Sequence, residues 1–247
     1  MAERFPFSFS DLFSKWDRAI EWFRSRIVIT DQEFRDLRAK ARRRAFWVAN
    51  LSQLRLTNNV FELVSDSLKH GENYAGFKKR AGPLLRRAWG RGAKDAAGRV
   101  FNQGARIETI YRTNAQTAYQ SSRFEYMNEP VIKQRRPYWF YDAIMDGRTS
   151  AICRDRDAAI RPADDPWWNE NYPPLHFNCR SSVRALTARQ AMRRGVTPQT
   201  DLTAAPVPGV GFGASPKEAE LYQAQVNLDK VDPSLLRTFG KKQDENT

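Results

Sequence analysis

Apolar residues recur at helical spacing through the first half of the chain and fall into short, broken runs after Pro130. Thr30 has the residue type of a helix N-cap, with Glu33 placed to complete a capping box. The run DQEFRDLRAKARRRAFWVANL that follows sets Phe34, Leu37, Ala41 and Ala45 on one helical face. This predicts an amphipathic helix with Arg38, Lys40, Arg42, Arg43 and Arg44 crowded near its end. A second helix is expected from about Asn58 to Lys69, where Phe61, Val64 and Leu68 share a face and Gly71 closes the segment. A third runs through FKKRAGPLLRRAW, weakened by Gly82 and Pro83. A fourth, long one is expected from about Ala96 to Asn128, with Val100, Ile107, Tyr111, Ala115 and Ala118 three, four or seven apart. Together these read as a bundle-like helical layer. Ahead of them, Phe5, Phe7, Phe9, Phe13, Trp16, Trp22 and Phe23 suggest an arm or helix that covers a surface, of this chain or of another.

Near Pro130 the pattern changes. The stretch VIKQRRPYWFYDAIMDGRTSAI carries β-branched and aromatic residues in short runs, broken by Pro137 and the turn-forming Asp146-Gly147, which suits small strands and loops. RPADDPWWNENYPPLHFNCRSSVRAL then mixes loop residues with one last strand, SSVRAL. Trp167 and Trp168 are expected to cover the small core of this region. From about residue 195, Pro, Gly and Ala dominate, as in an extended segment without its own core; residues 216–227 suit a short helix and KKQDENT a polar tail. There is no internal repeat and no heptad run. The fold class is therefore α+β: a helical N-terminal portion, a small mixed β/loop module and an extended C-terminal segment.

Charge adds a partner to the picture. Of 41 Lys and Arg and 28 Asp and Glu, 22 and 12 lie before residue 111, so ten of the thirteen net positive charges sit in the helical part. Such an excess favours an acidic partner, either duplex phosphates with salt-dependent affinity or an acidic protein face, unless it is only a solvated basic surface. Arg38, Lys40, Arg42, Arg43 and Arg44 are the candidate contacts. No stretch approaches the apolar length of a membrane span, and MAERFPFSFSDLF lacks the layout of a secretory signal, so the chain is expected to stay in the cytoplasm where it is made.

The 247 residues contain only two cysteines, too few for a disulfide scaffold, but their placement is suggestive. Cys153, His176 and Cys179 fall in one 27-residue window, the last two as H-x-x-C. Thiolate and imidazole are the ligands zinc prefers, and a loop-rich region with little core gains most from a metal. Asp146, Asp142 or water could supply a fourth ligand. Buried unliganded cysteines, or a disulfide, would fit the same residues. No phosphate-binding loop, H-E-x-x-H, G-x-S-x-G or zinc-deaminase pattern is present. A Cys-His nucleophile pair would lack a recognisable orienting group or oxyanion hole, which leaves a zinc-bound water as the one hydrolytic option. The chain is read as no enzyme.

The segments SLKHGENYAGFKKR, ETIYRTNAQTAYQSSR, DGRTSAICR and PPLHFNCRSSV, in this order, resemble the Mu F-like family of phage head-morphogenesis (minor head) proteins. The resemblance covers residues 58–187 and divides the chain into an N-terminal arm and basic helix (1–57), the Mu F-like domain (58–187) and the C-terminal segment (188–247). GFGASP is a weaker match to a downstream turn. The resemblance implies a minor capsid protein acting in head assembly, and in DNA packaging or delivery at the portal or inner capsid. It further implies a portal, major capsid or scaffold protein as partner, with packaged double-stranded DNA as a polyanionic one, and residence first in the host cytoplasm and then in the virion. Some relatives carry a toxin or enzyme domain after this module; the roughly 60 residues that follow here are too few and too rich in Pro and Gly for one. The alternative reading is a DNA-binding or DNA-processing factor carried with the genome. Arg112, Arg148 and Arg180 are expected to brace the module, Arg112 by pairing with a carboxylate such as Asp146.

Overall fold

The structure, a computed structural model, describes residues 9–37, 41–95, 97–197, 207–209, 212, 213, 215 and 216. Helix α1 (Phe9–Arg24) leads into strand β1 (Ile27–Val28) and helix α2 (Asp31–Asp36). The capping box expected at Thr30 is formed: Glu33 N donates to Thr30 Oγ1 and Thr30 N to Glu33 Oε2. The helix nevertheless stops at Asp36, with Leu37 extended, and residues 41–44 form a 3-10 turn that feeds strand β2 (Ala45–Phe46). The expected long basic helix is thus corrected. Strand β2 pairs in parallel with β1, Ile27 opposite Ala45, and an unbroken helix would carry Ala45 roughly 20 Å away from the start of α2. Pairing and the burial of Phe46 and Val48 outweigh the helical preference of the arginine-rich run.

The bundle continues with α3 (Leu54–Lys69), α4 (Tyr74–Trp89) and α5 (Gln103–Asn128). Pro83 and Gly82 do not interrupt α4, because Phe77, Ala81 and Leu85 bury one face of it against α5. Helix α5 starts later than its apolar spacing implied. Val100 is exposed outside it, and the preceding residues turn around Asp95, whose carboxylate accepts from Ala97 N and Arg99 N before Asn102 caps the helix. Helix α1 packs along α5 and α3, bringing Phe23 against Phe61 (4.9 Å, stacked), with Phe46 edge-on to both. Each such buried ring contributes roughly 1.5–3 kcal/mol. Trp22 and Phe23 of the N-terminal aromatic run therefore cover this chain's own core; Phe5 and Phe7 lie outside the described residues.

Beyond α5 come a short helix α6 (Pro130–Arg135), where strands and loops were expected, and then strand β3 (Tyr138–Asp142). Helix α7 (Ala151–Arg154), strand β4 (Ile160–Pro162), helix α8 (Trp168–Asn171) and strand β5 (Ser182–Leu186) complete the module, whose antiparallel sheet has the order β4-β3-β5. Its core is aromatic: Trp139, Tyr141, Trp168 and Tyr172 are all buried, with Trp167 packed at the margin. The segment after β5, expected to be extended, opens with helix α9 (Ala188–Arg194) behind a second capping box, Thr187 with Gln190. The helix expected at 216–227 falls outside the described residues except at Pro216.

One helix belongs to both cores. Ile107, Ile110 and Ala118 of α5 pack in the bundle, while Phe124 and Met127 pack in the module. Between them the buried residues are polar, and their hydrogen bonds cross to the strap 172–181. Gln116 and Gln120 both donate to Ser181 O (2.7 and 3.0 Å), and Tyr172 OH donates to Gln120 O (3.0 Å). Gln120 is fully buried. Gln120→Ala removes one of the two amide donors to a buried carbonyl that Gln116 still satisfies and is expected to lower unfolding stability by roughly 0.5–1.5 kcal/mol, Gln116→Ala by less because Gln116 is partly exposed. Urea unfolding of the two variants measures this; equal midpoints for Gln120→Ala and the parent would refute the seam.

Candidate metal centre

Three local structures bring Cys153, His176 and Cys179 together. Ser150 caps α7 and fixes its first turn, which holds Cys153. The HFNC sequence forms a turn in which Cys179 N donates to His176 O, so both side chains return to one side. Asn178 occupies the left-handed region (φ +57°), which Asn tolerates better than most residues. Its backbone N–H donates to Thr113 Oγ1 and its side-chain amide to Thr109 Oγ1, pinning the turn to α5. Strand β3 supplies Tyr141 from beneath, opposite Val183 of β5.

The three ligand atoms all lie within 4.8 Å of one another. Cys153 Sγ is 3.6 Å from Cys179 Sγ and 3.1 Å from His176 Nε2. Tyr141 OH donates to Cys153 Sγ at 3.4 Å, and Ser150 Oγ is 2.8 Å from His176 Nε2. The other ring nitrogen, Nδ1, lies 2.8 Å from Phe177 O, which assigns its proton to that carbonyl and leaves Nε2 facing the sulfurs. Hydrogen bonds from Cys179 and His176 hold the Cys153 thiol far below its ordinary range, despite burial that opposes this. Cys179, donating to Cys153 and buried, is pushed up, and His176 is raised by its bond to Cys153. The thiolate is the form of cysteine that ligates a metal, and a metal bound here would displace the protons shared among Cys153, Cys179 and His176 Nε2.

The donor set fits a metal. Two sulfurs at about 2.3 Å from a tetrahedral zinc are about 3.8 Å apart, close to the observed 3.6 Å, and a backbone carbonyl on the distal ring nitrogen is the usual partner of a ligating histidine. The two sulfurs are not bonded to one another, and both cysteines are free. Asp146, expected as a fourth ligand, is not in the group. Its carboxylate is held by both terminal nitrogens of Arg180 (2.5 and 2.7 Å), and Arg148 N donates to it as well. Those bonds keep Asp146 ionised well below the usual carboxylate range. Arg180 thus ties the loop ahead of Cys153 through its guanidinium, whereas Arg148 contributes its backbone N–H and leaves its side chain exposed. Arg112, expected to pair with Asp146, pairs instead with Glu108 one turn earlier on α5. Asp142, the other carboxylate considered, pairs with Arg184. Tyr141 and Ser150 were not singled out from the sequence as members of this site; the N-cap residue type of Ser150 before Cys153 was the one local signal.

The arginine run is organised differently from the basic helical face expected. Arg43 is buried and donates to Tyr172 O and Pro173 O of the strap; Arg44 is buried against Trp22 and donates to Ser25 Oγ at 2.5 Å. Arg42 lies over the Phe34 ring and donates to Arg35 O. Buried guanidiniums cannot meet a phosphate backbone, so Arg43 and Arg44 are internal ties. Arg38 and Lys40 lie outside the described residues. Basic side chains that are exposed occur on α4, at Lys78, Lys79, Arg86 and Arg87.

A helical bundle sharing its longest helix with a small aromatic sheet module, the latter gathering a Cys-His-Cys group, defines the class of protein. Residues 58–184, from α3 into β5, match the family model described as Phage Mu protein F like protein, and the chain belongs to that family. The Mu-like prophage FluMu F protein of Haemophilus influenzae is 32% identical over 206 residues, covering 82% of this chain and 46% of that protein. The "Putative capsid assembly protein F" of Escherichia phage Mu is 30% identical over 185 residues, covering 72% of this chain and 42% of that protein. The chain thus spans less than half the length of these relatives. No solved structure matches it significantly.

Proposed function

We propose that the protein is a minor capsid component acting in phage head morphogenesis, and that its role is structural. Family membership over residues 58–184 carries this reading, together with the capsid-assembly name of the phage Mu relative. Its partners are other head proteins, the portal, major capsid or scaffold protein among them; it works in the host cytoplasm during assembly and then in the virion. A structural role suits the chemistry: Cys153 and Cys179 are buried, and the cavity next to the site is lined by Pro174 and Phe177 but by none of the three ligands. Among the described residues no helix is long and apolar enough to cross a membrane. Mass spectrometry of purified virions and of empty procapsids is expected to find the chain in both, and its absence from both would overturn the reading.

The metal held by Cys153, His176 and Cys179 is proposed to be zinc, clamping α7 to the strap. Structural zinc contributes on the order of 10 kcal/mol to small sites, a large share of any domain's net stability. Protein purified without chelator is expected to carry close to one zinc per chain, and Cys179→Ser to lose both the metal and the cooperative melting of the module. A metal-free elemental analysis, or a variant that melts like the parent, would refute the site.

The competing reading is a DNA-binding factor carried with the genome, and the exposed basic residues of α4 favour it most. Three to four phosphate contacts through Lys78, Lys79, Arg86 and Arg87 imply random-duplex affinity that falls roughly 40- to 150-fold from about 50 to 200 mM salt. A gel-shift titration in which micromolar protein leaves duplex unshifted at low salt would leave α4 as a protein-docking face.

A further inference from the structure

A cavity of about 500 Å³ is lined jointly by α5, by the chain around β2 and by the strap that holds the metal ligands. Its walls are largely apolar. Phe34 and Trp47 stack at 3.9 Å, Phe101 lies beneath Arg106 at 3.6 Å, and Phe177 meets Phe212 edge-on at 5.1 Å. Four guanidiniums also line it, from Arg26, Arg42, Arg43 and Arg106, and among the described residues no carboxylate does. Asp31 and Asp95 act on Arg106 from outside the lining.

Most polar groups of this lining are committed to one another, and what the arginines present to the cavity is chiefly their positive charge. Asn114 accepts from Arg26 and donates to Ile110 O, Thr109 accepts from Asn178 and donates to Ala105 O, and Asn102 caps α5. Thr117 donates to Thr113 O. By contrast, the Nε atoms of Arg26 and Arg42 are buried with no hydrogen-bond partner, although the other nitrogens of Arg26 bond Asn114 and Ala45 O. Arg26 as a whole is only 8% exposed. A buried guanidinium donor without an acceptor is costly, and a cleft with low-dielectric walls focuses its field on whatever enters.

We propose that this cavity is the docking site for an extended segment of another head protein in which acidic side chains flank an aromatic one, the carboxylate meeting the arginines and the ring packing among Phe34, Trp47 and Phe177. The proposal rests on the assembly reading above for the source of the segment; the chemistry rests on the cavity. A volume of this size takes a few side chains. Duplex DNA, whose phosphates lie on a convex surface, cannot enter it. A nucleotide would need partners for its base edges, and the side chains of Asn114, Thr109 and Thr117 already donate within the protein. An acidic side chain needs only a positive cavity, free of carboxylates among the described residues, with Arg42 and Arg106 as its less buried arginines.

The test is calorimetric titration of the purified full chain with the acetylated, amidated pentapeptide Leu-Asp-Phe-Asp-Leu. Its Asn-for-Asp counterpart and adenosine monophosphate serve as comparison probes. The acidic peptide is expected to bind about tenfold or more tighter than the amide peptide, and Arg42→Gln and Arg106→Gln each to weaken it by about tenfold with the fold intact by circular dichroism. Because Arg26 and Arg43 are buried, these two less buried arginines are the informative variants. Equal affinity for the two peptides, unchanged affinity in both variants, tighter binding of adenosine monophosphate, or no binding at millimolar peptide would each overturn the proposal. Failure here with the chain present in purified heads removes the cavity assignment alone. Absence from heads removes the assembly reading without touching the titration.

Discussion

The polar seam on helix α5 is the constraint on which the site depends. A helix that faced two cores with apolar residues along its whole length would have nothing to fix the loop-rich strap between them. Gln116 and Gln120 instead grip Ser181 O from one side, Tyr172 OH returns to Gln120 O, and Thr109 and Thr113 hold Asn178. Residues 172–181 therefore run along α5 with both ends and the middle fastened. His176 and Cys179 take their positions from that fastening, and only Cys153 has to be brought by another element. Buried amides are costly when unmatched, so the seam also specifies register: a shift of the strap by one residue would strand several donors at once.

Much of this arrangement was legible in the sequence where one residue type has one dominant use. Thr30 with Glu33 formed its capping box, the apolar face of α3 was where Phe61, Val64 and Leu68 put it, α4 formed through FKKRAGPLLRRAW, and SSVRAL formed its strand. Cys153, His176 and Cys179 converge as their shared window suggested. What could not be read locally was set by distant partners. The arginine-rich run after α2 has good helical propensity, yet it turns because β2 must lie beside β1, and no residue within the run carries that information. Asp146 looked available to a metal only while Arg180, 34 residues away, was out of view. Helix α9 and the late start of α5 depend on caps, Thr187 with Gln190 and Asn102, that an apolar periodicity does not register.

The same distinction changes what the net charge means. A formal charge of +13 concentrated ahead of residue 111 invites a nucleic-acid partner, because the sequence gives every arginine equal standing as a surface cation. The fold does not. Arg26, Arg43 and Arg44 are buried together, with Arg156 and Arg161 buried in the module. Burial, then the charges of Arg43 and Arg44, lower Arg26 to about 9, and burial lowers Arg43 to about 10, so both remain protonated at neutral pH. These groups spend their donors on backbone carbonyls and side chains: Arg43 on the strap at Tyr172 and Pro173, Arg26 on Asn114 and Ala45, Arg156 on Asn171 and Ile152. A planar guanidinium can satisfy several carbonyls at once and sit against Trp22, Phe23 and Phe46, which a lysine ammonium could not do from the same positions. The charge that remains for a partner is therefore smaller than the composition implies. It is also divided in kind: exposed side chains such as Lys78, Lys79, Arg86 and Arg87 of α4 on one hand, and the partly buried Arg42 and Arg106 at the cavity on the other.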